Sequence, residues 1–220
     1  MSDEFEQILN DLRNRKPFAL TRWGDGEWCN IDKVIGTNCD GSFYYSDLGD
    51  RLLEIVSEKQ DYYMASHDRK TPDGDVNFSK YPQEWISANV LHRASIDGKL
   101  DIFVEAISNL NVFYVGNKHL KNMSFINNFL TIPEKNVWKF KDTVMKHIKE
   151  NIVDNESKVF LFSAGMASNV FIHDLWNYNK NNTYIDVGSV FDPYVGRFTR
   201  QYHKKVYERH IRGKLKYVKD

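Results

Sequence analysis

Residues 18–28 read FALTRWGDGEW: a short apolar run that stops at glycine, aspartate and glycine, with a tryptophan on either side and an arginine just upstream. An apolar run this short, bounded by turn-forming residues, predicts a buried strand rather than a helix. Pro17 closes whatever precedes it, and Gly24-Asp25-Gly26 predicts a tight turn directly at the strand's C-terminal end. An ordinary surface turn uses glycine and aspartate but has no need of tryptophans on both sides. The stretch is therefore either a plain turn or a site, and its surroundings bear on which.

Upstream, residues 2–16 carry Phe5, Ile8, Leu9 and Leu12 at helical spacing, with acids in the first turn and Ser2 as the expected N-cap. Downstream, Asp47 is the expected cap of a helix reaching Lys59, followed by a strand at 61–67. Residues 68–81 (DRKTPDGDVNFSKY) read as a long surface loop of the length that makes lids, with His67 at its edge. Helices are expected at 82–96 and 99–108, strands at 111–117 and 129–133, and a helix at 139–152. The segments KVFLFSAGMASNVFIHDLW and NTYIDVGSVFDPY then repeat the pattern of apolar strand, turn and helix. Strands alternating with helices of this length predict an α/β, Rossmann-like fold: a mostly parallel sheet with helices on both faces.

The 220 residues are 41% hydrophobic and 14% aromatic, enough for one core, and no composition break divides them, so one domain over 1–220 is expected. No apolar stretch approaches the roughly 20 residues of a membrane span, and the acidic start MSDEFEQ is unlike a signal peptide. A cytoplasmic protein is the expectation. Cys29 and Cys39 fit no zinc or redox spacing and read as free thiols. The net charge is zero but uneven. The last segment, about 197–220, holds nine Lys or Arg against two acids, either a solvated helix face or a contact for a polyanion.

Open parallel sheets bind ligands beyond the C-terminal ends of their strands, where loops converge and helix N-termini point outward. By this reading Asp25 and Glu27, Asn117, the Ser163–Ser168 turn and Asp186–Asp192 share one address. Asp25 and Glu27, spaced by Gly26, can present hard oxygen ligands to Mg2+ or Mn2+, with substrate phosphates completing the shell. Arg22 and Gly24 lie beside them for the same phosphates. Ser163, Gly165 and Met166 expose backbone amides with little bulk, suited to phosphate or to close helix packing; the turn is neither GxGxxG nor a P-loop. Asp186 and Asp192 are candidates for the base that deprotonates an acceptor hydroxyl, and Arg197 for steadying a leaving phosphate. Asp192 before Pro193 also reads as a helix cap. Trp23 and Trp28 offer flat surfaces to a base or sugar, or pack in the core.

LTRWGDGEW, followed by SAGMAS and YIDVGSVFD, resembles the GT-D type glycosyltransferases, a group first catalogued as a domain of unknown function. The similarity runs through most of the chain in order. It implies that Asp25 and Glu27 form the DxE motif that binds a divalent metal, commonly Mn2+, and through it the diphosphate of a UDP-sugar. Asp186-Val187-Gly188 matches the family's Asp-Ile-Gly pattern, whereas Ser189-Val190-Phe191-Asp192 departs from the His and Asp-Ile-Glu that follow it there. The implied activity is sugar transfer from a nucleotide donor to a hydroxyl acceptor, either a glycan or glycoprotein or a hydroxylated base in phage DNA. A non-catalytic nucleotide or glycan binding module and a Mg2+-dependent phosphoesterase are the competing readings.

Overall fold

The computed structural model describes residues 3–66, 70–71, 74–75, 78–152, 156–212 and 217–218. Ser2, His67 and, within the expected 68–81 loop, residues 68–69, 72–73 and 76–77 lie outside the described residues. The first helix, α1 (Asp3–Arg13), leads into β1 (Ala19–Trp23), then α2 (Asp25–Ile31), α3 (Ser46–Ser57) and β2 (Tyr63–Ser66). The short antiparallel pair β3 (Lys70–Thr71) and β4 (Gly74–Asp75) precedes β5 (Trp85–Ser87), α4 (Val90–Ile96), α5 (Leu100–Ile107) and β6 (Val112–Gly116). The chain continues through β7 (Asn128–Thr131), α6 (Lys141–Glu150), β8 (Val159–Phe162), α7 (Ala167–Tyr178), β9 (Thr183–Asp186) and α8 (Gln201–Val206).

Seven strands form one sheet in the order β5-β2-β1-β9-β8-β6-β7, and every pairing is parallel. Side chains alternate between faces, so each strand of a sheet covered twice must be apolar throughout. Leu20, Tyr114, Leu161 and Ile185 enter a core shared with α1, α4, α5 and α8. Ala19, Trp23, Phe113, Phe160, Phe162 and Tyr184 enter the opposite core with α2, α3, α6 and α7. The chain moves outward from β1 through β2 to β5, crosses to β6 and β7, and fills the gap last with β8 and β9. The end of the final strand is thereby set beside the end of the first: Leu20 pairs with Ile185, and on the other side Phe162 pairs with Asp186.

Three expected elements take a different form. The Gly24–Gly26 segment is not a tight turn: Gly24 is an extended N-cap (φ −119°) and Asp25 already begins α2. Two acids in that first turn favour the helix, and the Glu27 carboxylate accepts the Gly24 N–H at 2.8 Å, the reaching-back half of a capping box. Residues 85–87 are a strand inside the span expected to be helical, because Trp85 and Ile86 complete the sheet edge beside Met64 and Ala65. The helix expected to be capped by Asp47 starts at Ser46 with Tyr45 before it, and Asp47 instead sits in the first turn, 3.4 Å from Lys141.

Trp23 and Trp28 are 0% and 3% exposed and lie 5.6 Å apart, with Trp85, Phe78 and Tyr81 around Trp28. They pack α2 onto the sheet and offer no surface to a ligand. Trp28→Ala should destabilise the fold by about 3–5 kcal/mol through loss of buried area and the cavity left behind. Urea denaturation checks this; a loss below about 1 kcal/mol would mean that the aromatic cluster does not hold α2.

Candidate functional site

At the C-terminal ends of β1 and β9, Arg22, Glu27 and Asp186 form a half-buried cluster. Arg22 Nε lies 4.0 Å from Asp186 Oδ2, and the nitrogen is buried with no hydrogen-bond partner among the described residues. The backbone that carries it is clamped from α7: Asn169, fully buried, accepts the Arg22 N–H at 3.1 Å and donates to the Arg22 carbonyl at 3.0 Å. Asp186 Oδ1 accepts the Gly188 N–H at 2.9 Å. Gly188 has φ +53°, and a Cβ there would stand 2.7 Å from an Arg22 terminal nitrogen, so only glycine lets the guanidinium lie against this turn.

The electrostatics follow from two carboxylates sharing one guanidinium out of water. Burial pushes the Glu27 carboxyl up to about 7; the Gly24 amide opposes this, Asp186 adds to it and Arg22 counters it. Burial raises Asp186 as well, with Arg22 and the Gly188 amide opposing. Asp25 is exposed at the start of α2 and approaches the loop of residues 38–42. There the Cys39 thiol is raised by partial desolvation, with Arg200 opposing and both Asp25 and Asp40 adding to the rise. Neither Cys29 nor Cys39 is in a disulfide among the described residues.

Next to this cluster opens a cleft of about 370 Å³. Ser163, Gly165, Gly188, Asp192, Arg197 and Arg200 are among the residues lining it. The site residues expected from the sequence therefore divide. Ser163, Gly165, Asp192 and Arg197 face the cleft, and Arg22 and Asp186 adjoin it through Gly188. Gly24 and Gly26 belong to the start of α2, where a Cβ on Gly26 would meet the Asn38 side chain at 3.0 Å. The Met166 side chain is buried, its sulfur 3.1 Å from Asn30 Nδ2, and only its backbone remains available to a ligand.

The turns around the cleft are tied together. Ser163 Oγ donates to the Gly188 carbonyl, so the fully buried Tyr114 hydroxyl donates to Ser163 Oγ at 2.6 Å, joining the ends of β6, β8 and β9. Asp192 Oδ2 accepts from Thr199 Oγ1 at 2.6 Å and Oδ1 faces His119 Nε2 at 3.3 Å. Arg197 donates to His119 Nδ1 at 3.3 Å and to Glu134 at 3.1 Å. Since Arg197 can only donate, His119 Nδ1 is the acceptor, and its Nε2–H points at Asp192.

A similar deduction applies to His203, which is fully buried. Its Nδ1 accepts the N–H groups of Thr199 (3.1 Å) and Arg200 (3.3 Å), leaving Nε2–H directed at Ser189 Oγ, 3.4 Å away. With no lone pair facing Ser189, His203 is not a base for it, and the set is not a nucleophilic triad. Sequence reading missed His119, Thr199 and His203. His119 follows a strand-ending Gly-Asn, the position at which polar residues deserved weight; the other two gain their roles only through the turn that brings residues 189 and 199 together.

The carboxylates of Asp25 and Glu27 are the candidate donors for a divalent cation. Asp25 and Glu27 share the first turn of α2 beside Gly24 but stand on different sides of it, Glu27 reaching back to the Gly24 N–H and Asp25 lying near the Cys39 loop, so a shared ion would require one of them to turn. A carboxyl held near neutrality by burial and by a second carboxylate is a site short of positive charge. Among the described residues no group of three or more His, Cys, Asp or Glu side chains could hold a metal, so the remaining ligands would have to be substrate oxygens and water.

No family model and no curated protein matches the chain. Its fold is similar to a solved, selenomethionine-substituted structure of domain of unknown function 1792 (DUF1792), with a TM-score of 0.62 and 16% identity over 98% of this chain and 83% of that one. The likeness is one of fold. Among the described residues no helix is long and apolar enough to cross a membrane.

Glu27 and His203 pull the pH dependence of stability in opposite directions. Folded Glu27 keeps its proton to about pH 7 and the unfolded chain loses it near 4.5, so its contribution falls as pH rises through that window. Folded His203 stays neutral down to about 4 while the unfolded side chain takes a proton near 6.5, so its contribution grows as pH rises through its own window. Glu27→Gln removes only the first term. Relative to the unsubstituted protein, the variant should gain about 1–3 kcal/mol between pH 4.5 and 7.5 in urea denaturation. An unchanged difference at the two pH values would show that Glu27 titrates as an ordinary surface carboxyl.

Proposed function

We propose that the protein is a metal-dependent glycosyltransferase that moves a sugar from a nucleotide donor, a UDP-sugar, to a hydroxyl acceptor. The observation that carries this reading is the junction of β1 and β9. A partner-free arginine Nε and carboxylates short of positive charge adjoin a cleft that can hold a nucleotide diphosphate. The DxE resemblance of Asp25 and Glu27 to GT-D enzymes, and the likeness of fold to a domain first catalogued as of unknown function, support it.

Asp25 and Glu27 would hold a divalent ion, Mn2+ or Mg2+, which would offset the negative charge growing on the leaving nucleoside diphosphate. Arg22 adds a fixed donor from behind Gly188, in low dielectric, where its charge counts for more than in water. The amides of Gly165 and Met166, ahead of α7, receive phosphate or sugar oxygens, since those of Ser163 and Ala164 already donate to the Val115 carbonyl and Ser168 Oγ, and Arg197 steadies the leaving group from the far wall. Asp192 is the better placed of the two candidate bases. It lines the cleft and is oriented by Thr199 and His119, whereas Asp186 is spent on Arg22 and the Gly188 amide. The acceptor proton passes to the Asp192 carboxylate as the hydroxyl attacks the sugar carbon. The acceptor is a glycan or glycoprotein, or a hydroxylated base in DNA.

Incubation with a panel of UDP-sugars and Mn2+, followed by UDP release, tests the reading. One donor should be consumed. Asp25→Ala and Glu27→Ala should each lower that rate on the order of 100-fold or more, and Asp192→Asn by about 100- to 10,000-fold in transfer to acceptor. Full activity of either α2 variant, or undiminished turnover in excess chelator, would overturn the assignment.

A further inference from the structure

The basic C-terminal segment is absorbed only in part by the cleft. Beyond Arg197 and Arg200, which line it, α8 and the turn that continues it, Tyr207–Ile211, bury His203, Val206 and Ile211 on one side. The opposite side leaves Lys204, Lys205, Arg209 and Arg212 exposed, with Glu208 the one exposed acid between them. None of these four cations has an ion pair among the described residues. Glu208 stands at i+4 from Lys204 and i+3 from Lys205, but it forms no ion pair with either, and one acid cannot neutralise four cations. Arg200 to Arg212 spans roughly 15 Å, a row that begins at the cleft mouth.

An exposed aromatic ring adjoins the same row. Phe198 is 48% exposed, and its ring stands edge-on to Tyr207 at 5.3 Å, held in place with one face open to solvent. A large exposed ring set among unpaired cations costs solubility without helping the core. Cations beside an open aromatic face are the chemistry that receives single-stranded nucleic acid: charges track phosphates, and a ring stacks on a base of any identity. An acidic peptide or an anionic polysaccharide would satisfy the cations but offers no flat π-surface to the ring.

We infer that the exposed face from Arg197 to Arg212 binds a single strand of nucleic acid, its phosphates on Arg200, Lys204, Lys205 and Arg209 and a base stacked on Phe198. Binding needs neither a donor nor a cation, so it stands or falls separately from sugar transfer. A strand on this face passes the mouth of the cleft.

The test is fluorescence anisotropy of a labelled single-stranded oligonucleotide with the full chain, without metal or nucleotide, over salt from about 50 to 200 mM. Four phosphate contacts give a slope of about −3 in log affinity against log salt, so affinity should fall roughly 50-fold across that range. Lys204→Glu with Lys205→Glu should weaken binding about tenfold or more and flatten the slope. Phe198→Ala should weaken it about tenfold and leave the slope unchanged. All three positions are exposed, so circular dichroism melting should be unaltered; truncation before Val206 would instead open the core. The inference is overturned by absence of binding at low salt, or by a charge-reversed variant that binds as well as the unsubstituted chain. It is equally overturned if an anionic polysaccharide binds at least as tightly and Phe198→Ala has no effect.

Discussion

Two carboxylates, Glu27 and Asp186, are held within electrostatic reach of one guanidinium, Arg22, where the first and last strands of the sheet end side by side. This arrangement is costly, because burial disfavours every charge in it and a single cation cannot satisfy two anions. It persists because the backbone around it is over-determined: Asn169 grips both polar groups of the Arg22 backbone, the Gly188 amide holds Asp186, and the Gly24 amide holds Glu27. Under the proposed function, a bound cation and diphosphate would offset this cost.

The sheet makes the cluster attainable. With both faces covered, the strands bring Trp23 and Phe162 into one core and Leu20, Tyr114 and Ile185 into the other, so the charged side chains of the cluster gather at the strand ends. Insertion of β9 beside β1 is the topological step that joins residue 22 to residue 186. The same insertion sets the Gly188 turn against Ser163, and through it against Tyr114, so the cleft floor is cross-linked from three strands. Its far wall, from Asp192 to Arg200, is held by the buried, neutral His203, whose two accepted amides fix the turn that presents Thr199 to Asp192.

Much of the architecture was legible in the sequence because burial on both faces leaves a direct trace: FALTRW, NVFYVG and KVFLF are apolar without alternation and end at small or polar residues. Local chemistry misled where two elements share a signal. Gly-Asp-Gly suits a turn and a helix start equally, and the carboxylate three residues past Gly24 decides for the helix. Trp85 and Ile86 read as helical until the edge of β2 is available to pair with them. The tryptophans flanking the acidic motif left ligand surface and core both open, and the fold decides for core by setting Trp85 and Tyr81 around them. The site was readable as a set of strand ends, but not as contacts. Nothing in one dimension tells that His119 meets Asp192, or that Arg22 rests on Gly188 rather than reaching into the cleft.

The most direct measurement is a crystal structure of the protein grown with Mn2+ and UDP. The account requires oxygen atoms of Asp25 and Glu27 in the shell of one ion, the diphosphate completing that shell, and Arg22 Nε facing a phosphate oxygen or the ion's carboxylates. Carboxylates turned to bulk solvent, or Glu27 still bonded only to the Gly24 amide with the nucleotide elsewhere, would contradict it.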